Sequence, residues 1–275
     1  MKNKVALRLS EGAVMIALAT VLSMVKLADF PYGGSITAAS MFPIAVIAYR
    51  HGTPFGLFCG LVYGGIQQLL GLNTLSYFTS WQSILAIILL DYIVAFAVIG
   101  LAGVFRKASG KPALKMTAGV ILACVLRYLC HVISGCTVWA GLSIPDSAAL
   151  TYSLAYNATY MIPETLITGI AAWYLFSLID FASPRLKRLS TAKSEALPAK
   201  ARICYRGSLL AGVIGACYAI IRIFPLLQDD GGNFDFAGIK ALEVPSFATV
   251  LGICILLVLA LFIAGTLLKN KKTEV

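Results

Sequence analysis

Residues 114–140 read LKMTAGVILACVLRYLCHVISGCTVWA. A helix crossing a bilayer needs about 20 mostly apolar residues, and this stretch supplies them while carrying polar groups at its centre. Arg127, His131 and Gly135 follow i, i+4, i+8, which stacks them on one helical face. Charged and ionisable groups at membrane depth are expensive and face a bundle interior or a cavity. The stretch therefore predicts a transmembrane helix with one polar stripe turned inward.

The same reading extends outward along the chain. Its 275 residues are 59% hydrophobic and 12% charged, with a mean hydropathy of +0.87. Soluble domains carry roughly twice that share of charge. The predicted fold is an all-α integral membrane protein with spans at 9–28, 37–49, 54–72, 81–104, 114–140, 152–180, 207–226 and 246–268. The first lacks a small-residue cleavage site and reads as a retained helix. Residues 1–181 hold six spans, 182–206 form a basic linker rich in Ser and Pro, and 207–275 hold two further spans. The last is almost purely aliphatic from Val250 to Leu268, and Arg222 near the end of its partner reads as a snorkelling side chain. The segment 37–49 is short for a crossing and contains Pro43, so a tilted, broken or re-entrant path is open to it.

The net charge of +10 does not mark a nucleic-acid partner. Lys and Arg concentrate in alternate segments: the N-terminus, Arg50, the 105–115 loop, the linker and the C-terminal tail. That is the positive-inside pattern. It predicts a multi-pass plasma-membrane protein with both termini cytoplasmic and anionic lipid beside the basic segments.

Catalytic and metal motifs do not stand out. The chain has no GxxxxGK[ST] loop for ATP, no HExxH and no GxSxG. Its seven cysteines form no CxxC pair and read as small buried hydrophobes. Of the two histidines, His51 reads as solvated beside Arg50. The expectation is no enzyme, no metal and no cofactor.

Three spans each carry polar residues: Asp91 and Tyr92; Arg127, His131, Ser134 and Trp139; Tyr152, Tyr156, Asn157, Tyr160 and Glu164. At about 1.5 Å per residue, His131 lies roughly 25 Å from the cytoplasmic end of its helix. A site opening outward and ending partway down suits capture of a solute. Aromatic faces with one or two carboxylates favour a flat, cationic, partly aromatic ligand. Other readings stay open here: Tyr152, Trp139 and Trp173 as interface anchors, and Asp91 or Glu164 as a structural counter-ion for Arg127.

Gly33-Gly-Ser-Ile-Thr37, Asp91-Tyr-Ile-Val-Ala-Phe96, Arg127-x-x-x-His131-x-x-Ser-Gly135-x-x-x-Trp139 and Tyr156-Asn-x-x-Tyr160-x-x-Pro-Glu164 occur in this order. Together they resemble the thiamine-specific substrate-binding (S) component of energy-coupling factor (ECF) vitamin transporters, over about residues 5–181. The resemblance implies a six-helix S-component bundle with a thiamine pocket near its outer face. It implies partners as well: a transmembrane coupling subunit and two cytoplasmic ATPases. By matched position, Asp91, Tyr92, Arg127, His131, Gly135, Trp139, Tyr152 and Asn157 would contact the ligand, with Trp81 at the outer end of its span. Tyr32 and Gly33 belong to the loop expected to gate the pocket. Ala13-x-x-x-Ala17 resembles the docking surface for the coupling subunit, since small residues one turn apart let helices approach closely in lipid. Asp91 stands where the family more often has Glu, and Arg127 where Lys also occurs. Another vitamin or a thiamine precursor, or a proton-coupled secondary transporter, are the alternatives.

Overall fold

A chain in hydrocarbon satisfies its backbone polar groups internally, so apolar runs become helices. The computed structural model describes residues 2–30, 33–78, 80–141, 146–189, 198–223, 226 and 240–270. The helices are α1 (Lys2–Met24), α2 (Phe42–His51), α3 (Thr53–Leu70), α4 (Trp81–Lys107), α5 (Pro112–Gly141), α6 (Asp146–Leu178), α7 (Ala199–Ile223) and α8 (Val244–Asn270). Within α4 the winding changes: Ile87–Val94 is π-helical and Val98–Lys107 is a tighter 3-10 helix. Between α1 and α2 a small antiparallel hairpin pairs β1 (Lys26–Asp29) with β2 (Ser35–Thr37). A second pair, β3 (Ile179–Asp180) with β4 (Lys187–Arg188), follows α6.

α1, α4, α5, α6 and α8 contain stretches long and apolar enough to cross a membrane. The span expected at 37–49 is not one. Its start is the end of β2, and its remainder is the 10-residue α2, about 15 Å long. Pro43 sits in the first turn, where its missing N–H leaves no intrahelical bond unmade. Residues Pro43 to Tyr49 are all buried. α7 begins at Ala199, inside the segment 182–206 expected as the linker.

The chain divides into two compact units, Met1–Ser190 and Thr191–Val275. In the first, α2 is the axis, touching α1, α3, α4, α5 and α6. Gly56, Gly60 and Gly64 line one face of α3, and a Cβ on Gly60 would collide with the Phe96 carbonyl of α4. That glycine face lets the two backbones touch. At the C-terminal end of α2, Arg50 meets both oxygens of Glu11 on α1, at 2.7 and 2.9 Å. It also donates to the carbonyls of Phe181 and Ser183 beyond α6, at 2.7 and 3.0 Å. His51 is not merely solvated: its Nε2 lies 2.7 Å from Glu11 Oε2.

In the second unit α7 packs on α8. Gly207 meets Leu261 and Gly215 meets Cys254, while the Ser208 hydroxyl donates to the Val258 carbonyl at 2.9 Å. The Tyr205 and Phe262 rings meet edge to face at 5.5 Å. Arg222 lies 3.9 Å from Glu243, with both side chains largely exposed.

Candidate functional site

The first unit encloses a cavity of about 620 Å³, within the range of small-molecule sites. α1, the β1–β2 hairpin, α3, α4, α5 and α6 all contribute to its wall. The cavity lies by the hairpin and the 3-10 turn Leu72–Tyr77, at the opposite end of α2 from Arg50.

One wall is an ordered polar chain. Arg127 Nε donates to His131 Nε2 at 3.2 Å. That nitrogen is therefore an acceptor, and the ring proton sits on Nδ1, which lies 2.8 Å from Asp91 Oδ1. The second Asp91 oxygen accepts from the Ser134 hydroxyl at 2.9 Å. Asp91 thus sets the tautomer of a neutral imidazole, and Ser134 steadies Asp91. The Arg127 guanidinium lies over the Phe96 ring, 4.3 Å from its centre, a cation–π contact. Among the described residues Arg127 forms no direct ion pair and reaches Asp91 only through His131. Tyr92 stacks on Phe96 with the ring planes 12° apart.

The facing wall comes from α6. Asn157 uses its amide N–H groups on the carbonyls of Ser153 and His131, at 2.8 and 3.2 Å, and accepts from the Tyr160 hydroxyl. It lines the cavity while tying α6 to α5. Gly135 allows that approach, since a Cβ there would collide with the Ser153 hydroxyl. The hairpin turns through Gly33 and Gly34, both at positive φ. The Tyr156 hydroxyl donates to the Gly33 carbonyl at 2.7 Å. Phe30 packs on the rings of Tyr156 and Tyr160, at 5.8 and 5.6 Å. The buried Glu164 carboxylate accepts from the backbone N–H and the hydroxyl of Thr37, each at 2.7 Å.

Of the residues singled out from the sequence, Asp91, Tyr92, Arg127, His131, Gly135 and Asn157 line the cavity. Trp81 does not: at the first turn of α4 it is 68% exposed. Tyr152, one turn further out on α6 than Tyr156, is not among the lining residues either. The side chain of Trp139 and the whole of Tyr32 lie outside the described residues. Ala13 and Ala17 are exposed on α1, while Gly12 and Ala19 face inward.

The sequence reading missed the contribution of α1 and α3. Ser23, Tyr63 and Gln67 all line the cavity. Gln67 donates to Ser23 at 2.9 Å, and the Tyr63 hydroxyl donates to the Ala19 carbonyl at 3.3 Å. A glutamine at membrane depth was the available signal.

Fold and cavity together define a membrane protein with a polar-walled cavity of small-molecule size inside a helical bundle. Residues 9–182 match the family described as Thiamine transporter protein (Thia_YuaJ), and the chain belongs to that family. A thiamine transporter ThiT of Bacillus subtilis is 36% identical over 202 residues, 70% of this chain and 99% of the relative. A thiamine transporter ThiT of Lacticaseibacillus paracasei is 27% identical over 182 residues, 61% of this chain and 86% of the relative. The solved structure of ThiT from Listeria monocytogenes is similar with a TM-score of 0.52 and 27% identity, covering 63% of this chain and 94% of that one. These relatives are named for transport, not catalysis.

Proposed function

We propose that this chain captures thiamine outside the cell and passes it inward as the S component of an ECF transporter. The observation that carries the reading is the Arg127–His131–Asp91–Ser134 chain in the wall of an aromatic cavity. Asp91 offers negative charge to a cationic heterocycle or its amino group. Tyr92 and the stacked Phe96 offer ring faces. His131, Arg127 and Asn157 orient the polar edge, and Gly135 keeps the wall thin enough for α5 and α6 to meet.

Arg50 and the basic residues Arg106 and Lys107 sit at element ends away from the hairpin. Basic residues favour the cytoplasmic side, so in this reading the cavity faces outward, with both termini inside. Import needs an energy source. In this reading a transmembrane coupling subunit docks on the exposed Ala13–Ala17 face of α1, and two ATPases drive it.

The test is a tryptophan-fluorescence titration of the detergent-purified protein with thiamine, repeated by calorimetry, with riboflavin and biotin as controls. Saturable binding of thiamine alone is expected. Binding of either control in its place, with no thiamine response, overturns the ligand assignment.

A further inference from the structure

The wall that α1 and α3 give the cavity differs in kind from the one around Asp91. Its polar side chains are Ser23, Tyr63 and Gln67, and none is charged. The Tyr63 hydroxyl donates to the Ala19 carbonyl at 3.3 Å, and the Ser23 hydroxyl donates to the Thr20 carbonyl at 2.7 Å. A hydroxyl has one proton to give, so both are committed to the backbone of α1. This fixes the orientation of Gln67. With its proton committed, the Ser23 oxygen can only accept, and the group it meets at 2.9 Å is the Gln67 amide nitrogen. The amide carbonyl is therefore turned away from Ser23, and among the described residues nothing donates to it.

Gln67 is left with an open carbonyl oxygen and a second N–H. It stands in the last turn of α3, just before the 3-10 turn Leu72–Tyr77. A polar group that a ligand shuts off from water weakens binding unless the ligand bonds it. A neutral amide held at one end suits a group that both donates and accepts, which describes a hydroxyl. Thiamine carries an amino group, a ring cation and a hydroxyl at the end of a two-carbon arm. The first two suit Asp91, which leaves the hydroxyl for Gln67.

We propose that Gln67 is a specificity-determining residue for that hydroxyl: its carbonyl accepts the hydroxyl proton, and Ser23 holds the amide in the orientation that allows it. The ligand class is then a cationic heterocycle with a short hydroxyalkyl arm. The proposal rests on the thiamine-capture reading for its ligand.

The experiment is calorimetry on the full-length chain in detergent, with thiamine and with the analogue whose hydroxyethyl arm is replaced by ethyl. Wild type should bind thiamine about tenfold more tightly than the analogue, the scale of one hydrogen bond whose loss leaves a buried partner unmatched. Gln67→Met keeps the length of the side chain and removes its hydrogen bonds. In this variant thiamine affinity should fall about tenfold while the analogue stays within about twofold, so the preference disappears. Gln67→Leu should repeat the pattern. Ser23→Ala, which frees the amide to turn, should narrow the preference to about threefold. Retained binding of the analogue shows that the cavity of each variant is intact.

Equal binding of the two ligands by wild type overturns the proposal and needs no variant. So does an equal loss of both ligands in Gln67→Met and Gln67→Leu, which would make Gln67 only a tie between α1 and α3. Failure of wild type to bind either ligand overturns the capture reading, and this inference with it.

Discussion

α6 and α8 are both long helices with apolar stretches sized for a bilayer, yet they are built on different rules. α6 buries Ser153, Asn157, Tyr160 and Glu164, each bonded to α5, the hairpin or its own helix. α8 has a mean hydropathy of 3.0 over its most apolar window, only 6% of which is buried. Its polar links to α7 include Thr266 beside the Tyr205 hydroxyl and the Val258 carbonyl, which accepts from Ser208. Lipid asks of a helix only that it be apolar and internally bonded. A site asks for polar groups at depth, and each then needs a partner supplied by a neighbouring element. The family match covers α6 and stops before α7 and α8.

The contrast breaks most readily at Asp91. Asp91→Asn removes the carboxylate beside His131 and with it the acceptor that fixes the His131 tautomer. Thiamine affinity should fall about 100-fold by calorimetry, the scale of losing one buried member of a charge pair. A loss below threefold would place the ligand elsewhere. Gly135→Ala comes next, because its methyl would push Ser153 away from α5. Overpacking of this kind costs about 1–3 kcal/mol, and both the thermal midpoint and the affinity should drop.

Two further changes should leave binding alone. Removal of residues 191–275, a separate compact unit, should keep thiamine affinity within about threefold of the full chain, since a unit with its own core folds independently. A large loss would show that α7 and α8 support the cavity. Trp81→Ala should have the smallest effect, within about twofold, because an exposed side chain away from the wall contributes little. A strong loss there would move the ligand toward the outer end of α4.

Helical periodicity made much of this site readable in advance. The i, i+4, i+8 spacing that groups Arg127, His131 and Gly135 puts all three on the cavity, and Tyr156, Tyr160 and Glu164 follow suit on α6. The rest was hidden for physical reasons. Tyr152 shares the α6 stripe but lies a turn beyond the wall, and a stripe says nothing about where a cavity ends. Trp81 precedes the π-helical stretch Ile87–Val94, whose wider turns break the angular register between it and Asp91. Ser23 and Gln67 bond across two helices far apart in sequence, a pairing no local spacing reveals. α2 was too short and too apolar for hydropathy to tell a buried half-length helix from a span.

That half-length helix carries a consequence for how the protein is made. A single residue, Gly52, joins α2 to α3, so α2 cannot leave the insertion channel as an independent crossing. In the folded chain α2 packs back on α3 and against α1. Arg50 receives its carbonyl partners from residues synthesised more than a hundred positions later. Until α6 has emerged, the growing chain holds an unfinished core and a partly unmatched cation at the membrane.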